Sequence, residues 1–234
     1  MTEQNRLDEL RAGLERTRAD IQRFSEAAGR EAPQLLPVTK FHLAGDIALL
    51  AQLGITDVAE NREQEARAKA EELPDVHFHM IGQIQTKKAN HVARWAHSVH
   101  SLDSEKLARA LDRGVALAQE RGQRKGTLPV FIQVSADADT ARGGCPLDQV
   151  SGLVTIVEEL ENLDLQGFMV VPPLDSEPAE VFTRVKGLVE DTSEQLGRPL
   201  KLSAGMSADM QAAIESGTDI VRVGTGIMGP RPVV

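Results

Sequence analysis

Apolar positions at the start of the chain follow a helical period. Leu7, Leu10, Leu14, Ile21, Phe24 and Ala28 fall on one face, and charged residues fill the other. The pattern predicts an amphipathic helix within residues 1–30, ending near Gly29. The run is too short for a coiled coil, so packing on the rest of the chain is expected. From residue 35 the pattern changes. Short apolar or β-branched runs read as strands at 35–40, 55–60, 76–81, 98–102, 130–134, 165–171, 200–203 and 219–223. Helical periods lie between them, at 44–53, 61–73, 86–95, 105–121, 147–160, 178–196 and 207–215. Gly54 and Pro74 close two of these, and Ser104 caps a third with Glu105 in its first turn. About eight strands in strict alternation with helices are the pattern of a (β/α)8 TIM barrel, with an open doubly wound sheet as the alternative. No composition shift or long linker divides the chain. A single barrel domain over 1–234 is expected, carrying the extra N-terminal helix.

Composition narrows the function. The chain has 234 residues, a formal charge of −9 and 3% aromatics. An acidic chain is a poor partner for nucleic acid, whose affinity rests on Lys and Arg. The first twenty residues are charged throughout and lack the apolar core of a signal peptide. No apolar run is long enough to span a bilayer. The lone cysteine, Cys145, fits a reducing compartment. These observations point to a cytoplasmic protein without membrane or nucleic-acid partners.

The first strand, Leu35-Leu36-Pro37-Val38-Thr39-Lys40, ends in a lysine at a strand-to-helix loop. Parallel α/β folds bind ligands beyond the carboxyl ends of their strands. A lysine there, partly desolvated, is a candidate amine nucleophile for a carbonyl, although an exposed lysine that simply closes a strand gives the same pattern. Barrels often hold a phosphate beyond strands 7 and 8. Those loops read Ser203-Ala204-Gly205-Met206-Ser207-Ala208-Asp209 and Val221-Arg222-Val223-Gly224-Thr225-Gly226. Ser207 is expected at a helix N-cap, with Gly224, Thr225 and Gly226 offering backbone N–H groups to an anion. An ordinary cap and a glycine-rich turn fit the same residues. A Schiff-base lysine facing a phosphate site suggests pyridoxal 5'-phosphate.

Longer motifs add a resemblance. Gly205-Met206-Ser207-x-Asp209 is followed by Ala213-Ile214-x-x-Gly217-Thr218-x-x-Val221-Arg222-Val223-Gly224. Upstream stand Glu60-Asn61-Arg62-x-Gln64-Glu65, His79-x-Ile81-Gly82-x-Ile84-Gln85 and Gly167-Phe168-Met169. With these the chain resembles the pyridoxal-phosphate homeostasis proteins over nearly its whole length. That family shares the fold type III barrel of the alanine racemase N-terminal domain. The resemblance implies an internal aldimine on Lys40 and a phosphate held by Ser207, Gly224 and Thr225. It implies Arg222 facing the pyridine nitrogen, unless an ion pair with Asp219 occupies it. It also implies Asn61, His79 and Met206 around the ring, although Asn61 and His79 fit structural hydrogen bonds at strand ends equally well. The chain departs from the family at Ala59, Lys87-Lys88, Arg142 and Ile227-Met228-Gly229, which puts the third and fifth loops in question.

Two functions compete on this scaffold. One is a pyridoxal-phosphate enzyme, an amino-acid racemase or decarboxylase. The other, which the resemblance implies, is a protein that stores, buffers or delivers the cofactor. Racemases of this barrel use a tyrosine from a C-terminal β domain as second base. This sequence has no tyrosine and reaches Val234 just past its last strand. A cationic Arg222 would also keep the ring nitrogen unprotonated and weaken the ring as an electron sink. The binding role is therefore expected, in a monomer, with apo PLP-dependent enzymes as candidate recipients. A Schiff-base aldolase acting on a sugar phosphate is a third reading. Cys145 is expected to be an unreactive thiol.

Overall fold

The computed structural model describes residues 2–137 and 143–230. Helix α1 (Glu3–Ala27) is capped by Thr2, whose Oγ1 accepts the Asn5 N–H at 3.3 Å. It stops where Gly29 turns left-handed at φ 65°. The chain then alternates: β1 (Gln34–Pro37), α2 (Ala44–Gln52), β2 (Asp57–Glu60), α3 (Glu63–Glu72), β3 (His77–Met80), α4 (Ala89–Trp95), β4 (Ser98–Leu102) and α5 (Glu105–Glu120). The second half holds β5 (Leu128–Ser135), β6 (Cys145–Pro146), α6 (Val150–Glu159), β7 (Leu163–Val170), α7 (Pro178–Leu196), β8 (Lys201–Ser203), α8 (Met210–Glu215), β9 (Ile220–Val223) and α9 (Thr225–Met228).

The strands run parallel in the order β1-β9-β8-β7-β5-β4-β3-β2, and β6 is a two-residue addition to β5. A bridge between Val38 and Ala59 joins the two ends, and the Thr39 N–H donates to Ala59 O at 3.0 Å. The sheet therefore closes, which removes the open-sheet alternative. Alternate side chains divide the core in two. Leu36, Val38, Ala59, Phe131, Met169 and Ile220 fill the barrel interior. The other parity, including Val58, Phe78, Val99, Ile132 and Phe168, packs beneath the surrounding helices.

The N-terminal helix packs as the periodicity predicts, through Leu10, Leu14 and Ile21. Ala28 falls outside it and is exposed. Gly13 explains how closely α1 approaches: a Cβ there would lie 2.7 Å from Ile227 O and 3.0 Å from Gly226 O. The sequence reading differs from the structure in detail. The first strand ends at Pro37, so Lys40 lies three residues beyond it. Helix α8 begins at Met210 with Asp209 as its N-cap residue, so Ser207 stands in the preceding turn. β6 and α9 escaped the pattern because elements of two and four residues carry no period.

Candidate cofactor site

Lys40 stands in the turn after the interior-facing Leu36 and Val38, at the C-terminal mouth of the barrel, with its Nζ 6.0 Å from the Phe41 ring centroid. It is half-buried. The residues on either side of it are held from outside. The Thr39 hydroxyl donates to Glu60 Oε1 at 2.6 Å. The Lys69 ammonium, from α3, donates to Glu60 Oε1 at 2.7 Å, to Glu65 Oε1 at 2.9 Å and to the Thr39 carbonyl at 3.2 Å. The Phe41 N–H donates to Glu65 Oε1 at 2.9 Å. Among the described residues Phe41 is the non-glycine residue with positive φ, 70°. A bulky residue is disfavoured there, so the bond to Glu65 holds a strained turn in place. Burial pushes the Glu60 carboxyl up, and Lys69 and Thr39 oppose that shift. Lys69 was missed in the sequence. Its signal was the Glu65–Lys69 spacing of four on a helix beside Ala66 and Ala70.

The adjacent β9–α9 loop stands beside Lys40. The Val38 N–H donates to Val223 O at 2.9 Å. A Cβ on Gly224 would lie 3.5 Å from both Val38 Cβ and Val38 O. Thr225 and Gly226 open the first turn of α9, where N–H groups have no intrahelical acceptor. The Ser207 hydroxyl oxygen lies 3.5 Å from where a Cβ on Gly226 would sit. The structure thus brings Ser207 to the glycine loop without making it a helix cap. Asp209 does the shaping instead: its Oδ1 accepts the Met206 N–H at 2.6 Å. Gly205 has φ 96°, and a Cβ there would lie 2.6 Å from the Ala213 Cβ. Met206 is exposed at the rim.

Arg222 is buried beneath the mouth. Its guanidinium donates to Ser203 Oγ at 2.8 Å and to Val170 O at 3.0 Å. Burial lowers its pKa to about 10, so it remains cationic at neutral pH. Asp219 does not engage it: Asp219 Oδ2 accepts the Leu202 N–H at 2.7 Å. Asn61 borders a cavity of about 200 Å³ that Gln83, Gln133, Ser135 and Met169 also line. Its Oδ1 is buried with no protein partner among the described residues. A larger cavity, about 640 Å³, lies behind Thr225 and Gly226, against α1.

His79 does not belong to this group. Its Nδ1 lies 2.7 Å from Ser98 Oγ and its Nε2 lies 2.8 Å from Asp57 Oδ1. Ser98 and Asp57 open β4 and β2, so the ring faces the N-terminal end of the barrel. The expectation that His79 surrounds the cofactor ring is corrected accordingly. A motif fixes a residue's neighbours in sequence but not which end of a strand its side chain serves.

The loop residues in question resolve unevenly. Lys88 pairs with Glu63 at 3.4 Å, and Lys87 is exposed. Cys145 is buried, with its thiol pushed up to about 11, first by burial and then by Asp103 and Asp148. It is a structural thiol. Arg142 lies outside the described residues.

Comparisons with known proteins agree with the fold. The sequence model described as alanine racemase, N-terminal domain, matches residues 13–232. The pyridoxal phosphate homeostasis protein of Corynebacterium glutamicum is 56% identical over 201 residues, covering 86% of this chain and 91% of its own. The chain belongs to the pyridoxal phosphate homeostasis protein family. A solved structure of a family relative, PipY of Synechococcus elongatus PCC7942 with PLP bound, superposes with a TM-score of 0.75 at 31% identity. It covers 84% of this chain and 92% of its own. An unknown protein from Bifidobacterium adolescentis superposes with a TM-score of 0.86 at 29% identity, over 97% of both chains. The relatives from Corynebacterium glutamicum and Mycobacterium bovis carry the name of pyridoxal phosphate homeostasis proteins. Among the described residues no helix is long and apolar enough to cross a membrane.

Proposed function

We propose that this chain binds pyridoxal 5'-phosphate covalently through Lys40 and holds it for intracellular homeostasis. The observation that carries the reading is the braced Lys40 turn standing beside the Gly224–Gly226 loop at one end of a closed barrel. The residues fit the group. The glycine loop and Ser207 offer N–H and O–H donors where an anion could sit, without a side chain in the way. The unpartnered Asn61 Oδ1 supplies an acceptor at the adjoining cavity. When bound, the cofactor supplies an aldehyde that an amine can capture. Lys40 offers the amine, Ser207, Gly224 and Thr225 take the phosphate, Arg222 keeps a positive charge under the ring, and Asn61 and Met206 flank it.

The racemase reading finds less support. The opposite face of a substrate needs a second acid–base group within hydrogen-bond reach. The sequence has no tyrosine, the Cys145 thiol titrates near 11, and His79 is committed to the floor. In the reading we favour, the chain acts as one unit, a monomer in the cytoplasm, with apo PLP-dependent enzymes as recipients. The exposed apolar side chains Leu43, Leu174 and Met206, all on loops at the mouth, support docking of a recipient there. The test is reduction of the cofactor-loaded protein with borohydride followed by peptide mapping. The label is expected on Lys40 and absent from Lys40→Ala. A label on Lys87 or Lys88 would overturn the assignment.

A further inference from the structure

The floor of the barrel carries a cluster that cofactor binding does not use. Four of the six histidines of the sequence meet there. His77 and His97 stack with ring centroids 4.1 Å apart, His79 lies 5.1 Å from His97, and His100 meets the edge of His79 at 5.7 Å. Asp57 Oδ1 lies 2.8 Å from His79 Nε2 and 3.3 Å from His77 Nδ1. One ligand atom from each of Asp57, His79 and His97 lies within 4.8 Å of the other two. A cavity of about 180 Å³ adjoins them.

We propose that Asp57, His79 and His97 form a binding site for a divalent transition metal of the zinc class, at the opposite end of the barrel from Lys40. Two imidazoles and a carboxylate, with an open position for water, are a recurrent zinc ligand set. Ligands at about 2.0–2.2 Å from one zinc ion stand roughly 3.3–3.6 Å apart in a tetrahedron. The Asp57–His79 pair, at 2.8 Å, must open slightly, and His97, within 4.8 Å, must approach by up to about 1.5 Å, which its exposed ring can do by turning.

The neighbours are already in the orientation that a metal needs. A ligating histidine commonly donates its other N–H to a fixed acceptor. In its Nδ1–H tautomer His79 would donate to Ser98 Oγ, 2.7 Å away, and turn the Nε2 lone pair to an ion beside Asp57 Oδ1. The Thr56 hydroxyl donates to Asp57 Oδ2 at 2.6 Å, which leaves Oδ1 for the metal. His100 stands behind as a packing residue, its Nδ1 3.0 Å from Ser203 Oγ. Metal binding exchanges the His79 Nε2–Asp57 Oδ1 hydrogen bond for a bond from each atom to the ion, and the ring proton moves to Nδ1, where Ser98 Oγ accepts it.

The test is calorimetric titration of zinc chloride into the chelator-stripped full chain. One equivalent is expected to bind. His97→Ala, a surface change that leaves the fold intact, should weaken binding at least about tenfold, and so should Thr56→Val, which removes an orienting bond. His91→Ala, outside the cluster, should change nothing. Absence of saturable binding would overturn the proposal. Binding that survives both His97→Ala and Asp57→Asn at full strength, or that His91→Ala abolishes, would overturn it as well.

Discussion

At the mouth of the barrel Asn61 Oδ1 is buried without a protein partner among the described residues, whereas at the floor both nitrogens of His79 are bonded. The mouth relies on backbone. Gly224 keeps a side chain away from Val38, Gly205 lets its loop approach Ala213, and Phe41 is held in a disfavoured conformation by Glu65. The floor relies on side chains that satisfy one another, Thr56 to Asp57 to His79 to Ser98. An end that leaves donors and acceptors open has kept capacity for a ligand, because a buried polar group without a partner is destabilising on its own. Ser203 touches both halves, accepting from Arg222 on one side and meeting His100 on the other.

The largest effect is expected from breaking the brace behind the mouth. Lys69→Met leaves the buried Glu60 and the half-buried Glu65 carboxylates without their cation. Removing one partner of a buried pair typically costs about 3–5 kcal/mol. Denaturant unfolding at neutral pH should show a loss on that scale, together with slower capture of pyridoxal phosphate by Lys40. A loss below about 1 kcal/mol would mean that Thr39 and Phe41 are held by something else.

The two ends should also respond to pH in opposite directions. Asp57 titrates lower in the folded protein than the roughly 3.9 of an unfolded aspartate. Its stabilisation is therefore present above about pH 4 and is lost as pH falls through the folded value. Glu60 titrates higher than the roughly 4.3 of an unfolded glutamate. Its favourable contribution is present below that value and is lost as pH rises through the folded one. Asp57→Asn should reduce stability at neutral pH by about 1.5 kcal/mol, the low end for a bond to a charged group because solvent screens this one. It should also flatten the acid limb of the stability profile. An unchanged acid limb would show that the floor pairing does not set it.

How far the sequence disclosed these two ends follows from the kind of signal each leaves. Alternating strands and helices reveal a parallel barrel because burial on both faces imposes long periodic runs. Lys40 and the Gly205 and Gly224 loops stood out because loop chemistry at the carboxyl ends of strands is local in sequence. The floor was hidden. Asp57, His79 and His97 come from three segments, and nothing in any one segment tells that their side chains converge. Lys69 was hidden for a related reason: a buried ammonium on a charged helix reads as one more solvent-facing residue until Glu60 and Thr39 are seen around it. The expected N-cap, Ser207, lies two residues before the actual one, Asp209, whose side chain bonds the Met206 N–H and makes no cap bond.

That displacement gives the prediction with the smallest effect on the fold. Ser207 is exposed, and the turn around it is set by the Asp209 bond to the Met206 N–H and by the left-handed Gly205. Ser207→Ala removes none of these, so its effect on unfolding free energy should stay within about 0.5 kcal/mol. Its effect on the ligand should be larger. A hydroxyl beside the Gly226 loop can donate to a phosphate oxygen, and bonds to charged groups are worth about 1.5–3 kcal/mol. Pyridoxal phosphate should dissociate roughly tenfold to a hundredfold more readily from the variant, on the scale of 1.4 kcal/mol per tenfold. Pyridoxal, which has no phosphate, should bind both proteins alike. The measurement is a pair of titrations followed by visible absorbance, beside a thermal melt of each protein. Equal weakening toward pyridoxal and its phosphate would show that Ser207 shapes the mouth rather than holding the anion. A fall in melting temperature without a change in affinity would move the phosphate away from this turn altogether.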